Sequence, residues 1–157
     1  MRHKKVEKRT VDPDPIYKNR LVAKFINRLM KDGKKSIAQK TLYKTFTIIS
    51  AKNQDPMEVF ERAIQTISPK QEVKARRVGG ASYQIPTEVR GDRKVSLAIR
   101  WIIVAAKARS SKEFHTFPEK LSAELLDALQ NQGAAVKKRD SMHRMAEANR
   151  AFAHFRW

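Results

Sequence analysis

The sequence predicts an all-α protein, a single domain of about six helices with one protruding basic β-hairpin and a disordered basic N-terminal arm. Apolar residues recur every three to four positions through most of the 157 residues, which is the period of amphipathic helices. Glycine and proline stand where these periodic segments stop. One stretch, residues 73–89, instead places two glycines between two strand-like runs. A chain of this length can form one core, which we expect over residues 13–157.

The first twelve residues form the predicted arm, because they show no apolar periodicity. Six basic or histidine side chains are concentrated in it: Arg2, His3, Lys4, Lys5, Lys8 and Arg9. A charged segment with little apolar surface to bury stays disordered until it meets an oppositely charged surface. The opening MRHKKVEKR also leads into no apolar run, so no secretory signal is expected.

The first two helices are predicted from their apolar stripes. The first covers about residues 20–31 and ends at Gly33, and the second covers about residues 36–52. The buried positions predicted for the second are Ala38, Leu42, Phe46 and Ile49. Between the two helices, DGKKS resembles the end of a phosphate-binding loop, but Arg28 stands where that motif requires its first glycine. We therefore interpret DGKKS as a lysine-rich turn.

The third helix has a clear predicted start. Asp55 can cap it, Pro56 suits its first turn, and Glu58 stands at a spacing like that of a capping box. Ser68-Pro69 ends it, since the residue before a proline is disfavoured in helical conformation.

The stretch 73–89 is predicted to be a hairpin whose tight turn is Gly79-Gly80, because glycine readily adopts the positive φ angles of such turns. This turn places Arg76 opposite Tyr83, so both share one face with Lys74, while Arg77 faces the other way. Guanidinium groups can contact phosphates and tyrosine can stack on a base. The alternative is an exposed hairpin with ordinary surface charge. We expect little burial of the strands against a core.

The fourth helix, about residues 93–109, is predicted to be central because it is the most apolar segment, with Asp92 as its cap. Its run WIIVAA is the longest uncharged apolar stretch of the sequence. Because a membrane span needs about 20 apolar residues, the sequence predicts no span.

Two further helices complete the prediction. The fifth begins with Thr116 and Glu119 around a proline and closes at Gly133, and the sixth runs from about Ala134 towards Trp157. The sixth is expected to carry one continuous basic face, made of Arg139, His143, Arg150 and His154. A purely solvated charge stripe is the alternative. The fifth leans acidic and should face away from a polyanion.

The charge of the chain indicates which class of partner it binds. The formal net charge is +18, from 34 Lys and Arg against 16 Asp and Glu, and such an excess attracts polyanions, above all nucleic acid. No cysteine is present, which excludes disulfides and thiolate metal sites and favours a reducing compartment. The four histidines lack metal-ligand spacing, and no nucleophile motif occurs. We therefore expect no enzyme activity and no metal or other cofactor.

The sequence closely resembles the bacterial-type small-subunit ribosomal protein seven family over nearly its whole length. The matching stretches are DPIYKNRLV leading to DGKKS, VKARRVGGASYQIPTEV, AIRW, and the closing KKRDSMHRMAEANRAFAHFRW. The resemblance implies a structural constituent of the small ribosomal subunit that binds the three-prime major (head) domain of its RNA directly and nucleates head assembly. It also implies a place near the messenger exit and the exit-site transfer RNA. One segment, KEFHTFPEKLSAE, departs from the family pattern.

The resemblance also implies which residues touch RNA. For ribosomal RNA these are Arg2, His3, Lys4, Lys5, Lys8, Arg9, Lys34, Lys35, Lys74, Arg76, Arg77, Arg93, Lys94, Arg109, Lys137, Lys138, Arg139, His143 and Arg150. Close to messenger and transfer RNA it implies Arg77, Val78, Gly79, Gly80, Ala81, Tyr83, Arg144, Arg150, His154, Arg156 and Trp157.

The implied partners are small-subunit ribosomal RNA, exit-site transfer RNA, messenger RNA, and neighbouring ribosomal proteins of the head and platform, with no membrane and no small-molecule substrate. The implied location is the small ribosomal subunit, in the cytoplasm or in an organellar matrix or stroma. An architectural DNA-binding protein is the alternative, since a basic β-arm can enter the minor groove and Ile85-Pro86 could wedge between bases. An RNA-modifying enzyme would need a cofactor pocket that the sequence does not indicate.

Overall fold

The computed structural model describes residues 10–155. By its internal contacts the chain divides into two compact units, one ending at Lys40 and the other beginning at Thr41, with the boundary inside a helix. Residues 1–9 of the expected arm lie outside the described residues, so the arm and the single domain 13–157 stay predictions.

The described elements follow in chain order. They are α1 (Arg20–Leu29), α2 (Lys35–Ser50), α3 (Pro56–Ile67), β1 (Gln71–Val78), β2 (Ala81–Glu88), α4 (Gly91–Ala108), α5 (Phe117–Leu129), α6 (Ala134–Ala148) and a C-terminal 3-10 segment (Arg150–Phe155). The two strands form one antiparallel hairpin and all other elements are helical. The predicted fold class, mainly helical with a single hairpin, is confirmed for the described part of the chain.

The first unit contains α1 and the beginning of α2. Helix α1 begins after Asn19, whose side-chain oxygen accepts a hydrogen bond from the N–H of Leu21 at 2.7 Å. The preceding turn is fixed by the buried carboxylate of Asp14, which accepts from two backbone N–H groups at 3.2 Å. The buried side chains of α1 are Val22, Ala23, Phe25 and Ile26. The lysine-rich turn is also confirmed, with Gly33 at φ 72°.

The second unit has a core to which each of its α-helices contributes. Phe46 of α2 and Phe60 of α3 lie edge to face, with ring centroids 5.5 Å apart. Helix α4 packs against α3, α5 and α6, so its predicted central place is confirmed. Its buried side chains are Ala98, Ile99, Trp101, Ile102, Ile103, Ala105 and Ala106.

Two predicted helix starts are confirmed and one is wrong. Asp55 caps α3 by accepting the N–H of Met57 at 2.9 Å. Glu119 of α5 accepts the backbone N–H of Thr116 at 3.1 Å, as a capping box requires. Asp92, however, does not cap α4, because that helix already begins at Gly91 and no side chain caps it. The carboxylate stands in the first turn instead, where the helix dipole favours a negative charge.

The prediction that the sixth helix continues towards Trp157 is also wrong. Helix α6 ends at Ala148, and the chain tightens into the 3-10 segment up to Phe155. The amide of Asn149 donates to the carbonyl of Met145 at 2.8 Å, and such a side-chain bond competes with helical continuation. Consequently Arg150 and His154 do not extend the α6 surface in helical register.

Candidate nucleic-acid interface

The hairpin has the register that the sequence predicts. Gly79 and Gly80 take φ angles of 56° and 91°, and this turn pairs Arg76 with Tyr83. Because paired residues of an antiparallel ladder project to the same face, Lys74 lies on that face as well and Arg77 on the opposite one. The basic residues Lys74, Arg76 and Arg77 are exposed, as are Gly79, Gly80 and Ala81 of the turn region.

The base of the hairpin is built into the core, contrary to the expectation of little burial. Ile85 has no exposed surface and its neighbour Pro86 is also buried. The strands are therefore anchored at one end and exposed at the other. Burial also removes Ile85-Pro86 as a wedge between DNA bases, which was the specific feature of the architectural DNA-binding alternative.

An ion pair fastens this base to α4. The buried carboxylate of Glu72 accepts from Nε of Arg93 at 2.8 Å and from its Nη2 at 2.7 Å, and Nζ of Lys74 lies 3.2 Å away. Burial would raise the pKa of Glu72, but the hydrogen bonds from Arg93 and Lys74 outweigh it and hold that pKa below its ordinary value. The hydrogen bonds with Glu72 likewise raise the pKa of Arg93. Both cations keep about half of their side chains exposed, so each can still face a phosphate.

Helix α6 holds the segment that leads into β1. Nη1 of Arg139 donates to the carbonyl of Thr66 at 2.6 Å, and Nε2 of His143 accepts the backbone N–H of Lys70 at 3.0 Å. Burial, followed by the positive charge of Arg139, lowers the pKa of His143. The last helix therefore does not present the predicted continuous basic face. Arg139 and His143 instead make hydrogen bonds with backbone groups of the segment before the hairpin. Their contact with RNA stays a prediction.

Arg109 lies in an ionic cluster between helices. Its Nε donates to Oε2 of Glu124 at 2.8 Å, and its Nη2 also contacts Asp127. The other oxygen of Glu124, a residue only 1% exposed, accepts the N–H of Ala135 at the start of α6 at 2.9 Å. These bonds join the end of α4 to α5 and α6. They give Arg109 an internal partner, and its predicted RNA contact is not tested.

Aromatic rings connect the 3-10 segment to the hairpin. The ring centroid of Tyr83 lies 5.2 Å from that of Phe152 and 5.5 Å from that of Phe155. The partly buried ring of Tyr83 therefore packs on two phenylalanines, and its stacking on a base stays a prediction. Sequence reasoning missed both phenylalanines. Their spacing of three residues is the signal that could have indicated a shared face.

The remaining predicted contacts lie mostly on the surface. Exposed side chains among them are Lys34, Lys35, Lys137, Lys138, Arg144, Arg150 and His154, whereas Lys94 is half-buried. Arg150 lies 3.9 Å from Glu147, an ion pair in which both side chains are at least 80% exposed and which water therefore weakens. Arg2, His3, Lys4, Lys5, Lys8, Arg9, Arg156 and Trp157 lie outside the described residues, and the side chain of Val78 is not described.

Between the base of the hairpin and the end of α6 is an open cleft of about 360 Å³. Pro86 and Thr87 line one wall, and Ala146, Glu147 and Arg150 line the other. Within residues 10–155, no cluster of histidine and acidic side chains is arranged to hold a metal ion. No helix in the same range is long and apolar enough to cross a membrane.

Proteins of a known family resemble this chain over nearly its whole length. The family model described as "Ribosomal protein S7p/S5e" matches residues 1–150. The chain is 55% identical over 157 residues to "Small ribosomal subunit protein uS7" of Syntrophus aciditrophicus, covering 99% of each chain. It is 55% identical over 153 residues to the protein of the same name from Nitratidesulfovibrio vulgaris strain Miyazaki F, covering 97% of this chain and 96% of that protein. It is 56% identical over 153 residues to that of Caldicellulosiruptor saccharolyticus, with the same coverage.

Proposed function

Because the chain belongs to the family described as ribosomal protein S7p/S5e, we propose that it binds the three-prime major domain of small-subunit ribosomal RNA directly and nucleates assembly of the head. Membership of this family makes the chain a structural, non-enzymatic RNA-binding protein of the small ribosomal subunit. Its partners are ribosomal RNA and other ribosomal proteins. The prediction that it is not an enzyme is confirmed by the family.

One observation supports direct binding to ribosomal RNA: the hairpin is anchored at its base, and its far end is exposed and basic. Ile85 fixes the base in the core, while Lys74, Arg76 and Arg77 are exposed beyond it. A hairpin that is anchored at its base and has exposed guanidinium groups can contact phosphates of the RNA backbone at a distance from the helices. The formal net charge of +18 supplies the general attraction to the polyanion.

The test is a competition between nucleic acids at one fixed salt concentration. We expect the full chain to bind a transcript of the three-prime major domain more tightly than a transcript of the five-prime domain or duplex DNA of equal length. Hydroxyl-radical footprinting should then show protected nucleotides on the three-prime major transcript. Equal affinity for all three would reduce the protein to a general polyanion binder, and a preference for the duplex would favour the architectural DNA-binding alternative.

The proposal extends to the messenger exit and the exit-site transfer RNA, which the turn of the hairpin, Arg144 and the 3-10 segment would approach. The exposure of the turn, of Arg144 and of His154 supports this extension. Because the chain has no cysteine, Ala81→Cys can carry a single photo-crosslinker in reconstituted small subunits. We expect crosslinks to exit-site transfer RNA from this position and none from Glu113→Cys, in the exposed loop between α4 and α5. Equal crosslinking from both positions would count against it.

A further inference from the structure

The outer part of the hairpin has a contact that its strand pairing does not require. Of the residues between 74 and 84 whose side chains the structure describes, Tyr83 alone is partly buried. Its ring lies against Phe152 and Phe155, with centroids 5.2 Å and 5.5 Å away and interplanar angles of 46° and 32°. These are ordinary distances for attractive ring contacts.

The 3-10 segment is stabilised by contacts within itself and it also contacts α6, so it can act as a support. Nδ1 of His154 lies 2.8 Å from the carbonyl oxygen of Ala151, and the His154 ring lies 4.0 Å from that of Phe155. The segment also packs on α6, whose residues His143 and Arg139 hold the chain before β1. The base and the outer part of the hairpin are thus both fixed from the C-terminal part of the chain.

A two-stranded hairpin needs such support. An isolated pair of strands is at best marginally stable in water and is more strongly twisted than a larger sheet, so packing against another element helps to fix its direction. Arg76 is directly opposite Tyr83, and a contact that fixes the tyrosine therefore also fixes the backbone that carries this arginine.

We propose that Tyr83, Phe152 and Phe155 form an aromatic clasp by which the 3-10 segment sets the direction of the hairpin. The two phenylalanines are positioning residues: they need not touch RNA, but they decide where Arg76 and the turn are presented. The clasp is a property of the free protein, and its effect on RNA contacts rests on the proposed function.

The first experiment measures the direction of the hairpin without RNA. The absence of cysteine allows two spin labels, on Ser82→Cys near the turn and on Lys107→Cys of α4, both in the second unit and both exposed. Double electron–electron resonance should give one narrow distance distribution in the otherwise unchanged chain. Phe152→Ala with Phe155→Ala should replace it by a broad one while the helical circular dichroism is retained. A distribution that stays narrow would overturn the clasp.

Matched variants separate the clasp from general destabilisation. Phe114→Ala removes the same ring from the loop after α4, where it contacts Arg109, and should leave the distribution narrow. Tyr83→Ser should broaden it, whereas Tyr83→Phe keeps the ring and should restore the narrow form. Broadening by Phe114→Ala or by Tyr83→Phe would overturn the proposal. If the double variant fails to fold, Phe155→Ala alone is measured, and its unfolding as well would assign the rings to the core and overturn the clasp.

The second experiment reads the effect on RNA. An iron chelate tethered to Ser82→Cys cleaves ribosomal RNA near the hairpin turn, and the cleaved nucleotides of the three-prime major transcript report its position. Loss of the clasp should spread or weaken these cleavages while the footprint of the rest of the protein persists. Unchanged cleavage with a broadened label distance would overturn the positioning role, whereas failure of the unaltered chain to bind the transcript would count against the proposed function alone.

Discussion

The arginines of this protein differ in what their guanidinium groups contact. Arg109 and Arg139, each with a side chain 18% exposed, are directed to carboxylates and a backbone carbonyl within the protein. Arg77, Arg144 and Arg150 are exposed on the surface. The same residue type thus stabilises helix junctions in one place and is presented to solvent in another, and the sequence around each does not distinguish the two uses.

Replacing Arg109 should destabilise the fold. Arg109→Ala leaves the carboxylate of Glu124 buried without its cation, which costs about 3–5 kcal/mol for such pairs. Arg150→Ala removes the same group from a side chain that is 84% exposed and should change stability by less than about 0.5 kcal/mol. The free energy of unfolding in urea measures both. An equal loss of unfolding free energy in the two variants would show that the ion pairs of Arg109 do not stabilise the fold.

Stability should fall as pH decreases through the titration range of His143. The pKa of this residue is lowered in the fold, by burial first, with the charges of Arg139 and Lys70 adding to it and Asp140 opposing. The unfolded chain, with an ordinary histidine pKa of about 6.5, therefore takes up a proton first as pH falls. The contribution of His143 to the free energy of unfolding is therefore fully present above about pH 6.5 and is lost as pH falls below that value.

The measurement is the free energy of unfolding from pH 8 to pH 5. His143→Gln should reduce the slope below about pH 6.5, because glutamine does not titrate. An unchanged slope in His143→Gln would mean that other groups produce the dependence.

Junctions between elements depend on glycines at two places. Gly79 and Gly80 turn the hairpin in open space, whereas Gly133 joins α5 to α6 at φ 96° with Oε1 of Glu124 only 2.9 Å from where a Cβ would stand. Backbone conformation alone requires glycine in the turn. At the junction, conformation and close packing both require it.

Gly133→Ala should therefore destabilise the protein by about 1–3 kcal/mol, since alanine is strained at positive φ and its methyl group would displace the Glu124 carboxylate. Gly91→Ala is the matched control, because Gly91 opens α4 with nothing near its Cβ position and no positive φ. We expect that control to be neutral or to stabilise by up to about 1 kcal/mol. Thermal unfolding of both variants decides the matter, and a neutral Gly133→Ala would contradict the packing argument.

At the hairpin, charge and backbone can be altered separately. Arg76→Ala with Arg77→Ala should keep the stability within about 0.5 kcal/mol and weaken chemical protection of the RNA near the hairpin. Gly79→Val with Gly80→Val should disturb the strand register, because β-branched residues resist positive φ, while the helical signal persists. Unfolding of the arginine variant would assign it to the core, and full protection by that variant would leave its charges as solvated surface.

For the molecule as a whole, charge exceeds what the fold requires. Within the described residues the buried side chains are mainly apolar, and no buried polar side-chain atom is left without a hydrogen bond. No lysine or arginine is buried within residues 10–155, so the basic side chains of that range can attract a polyanion.

RNA affinity should depend steeply on salt. If about 6–10 phosphates are neutralised, the affinity for the three-prime major transcript should fall by about 10³–10⁵ between 50 and 200 mM salt. The double variant Arg76→Ala, Arg77→Ala should bind with a slope reduced by about one for each phosphate that it no longer neutralises. Filter binding over this range measures both slopes. A flat response of the unaltered chain would exclude binding through phosphate groups.

Periodicity and turn chemistry in the sequence were enough to predict six helices, the cap by Asp55, the capping box of Glu119 and the register of the hairpin. These features depend on interactions between residues close together in the chain, so local spacing contains them. The family resemblance depended on the same local stretches, and the comparisons confirm it.

The sequence did not predict which charged or aromatic side chains turn inward. Arg109 meets Glu124 across 15 residues of sequence and His143 meets Lys70 across 73. Tyr83 of β2 meets Phe152 of the 3-10 segment. The bend after Ala148 was missed as well, and it is what brings Phe152 to the hairpin. Contacts of this kind depend on how helices pack, which side-chain spacing along one helix does not record. Only the tertiary structure decided whether a basic residue stabilises the fold or remains exposed for RNA.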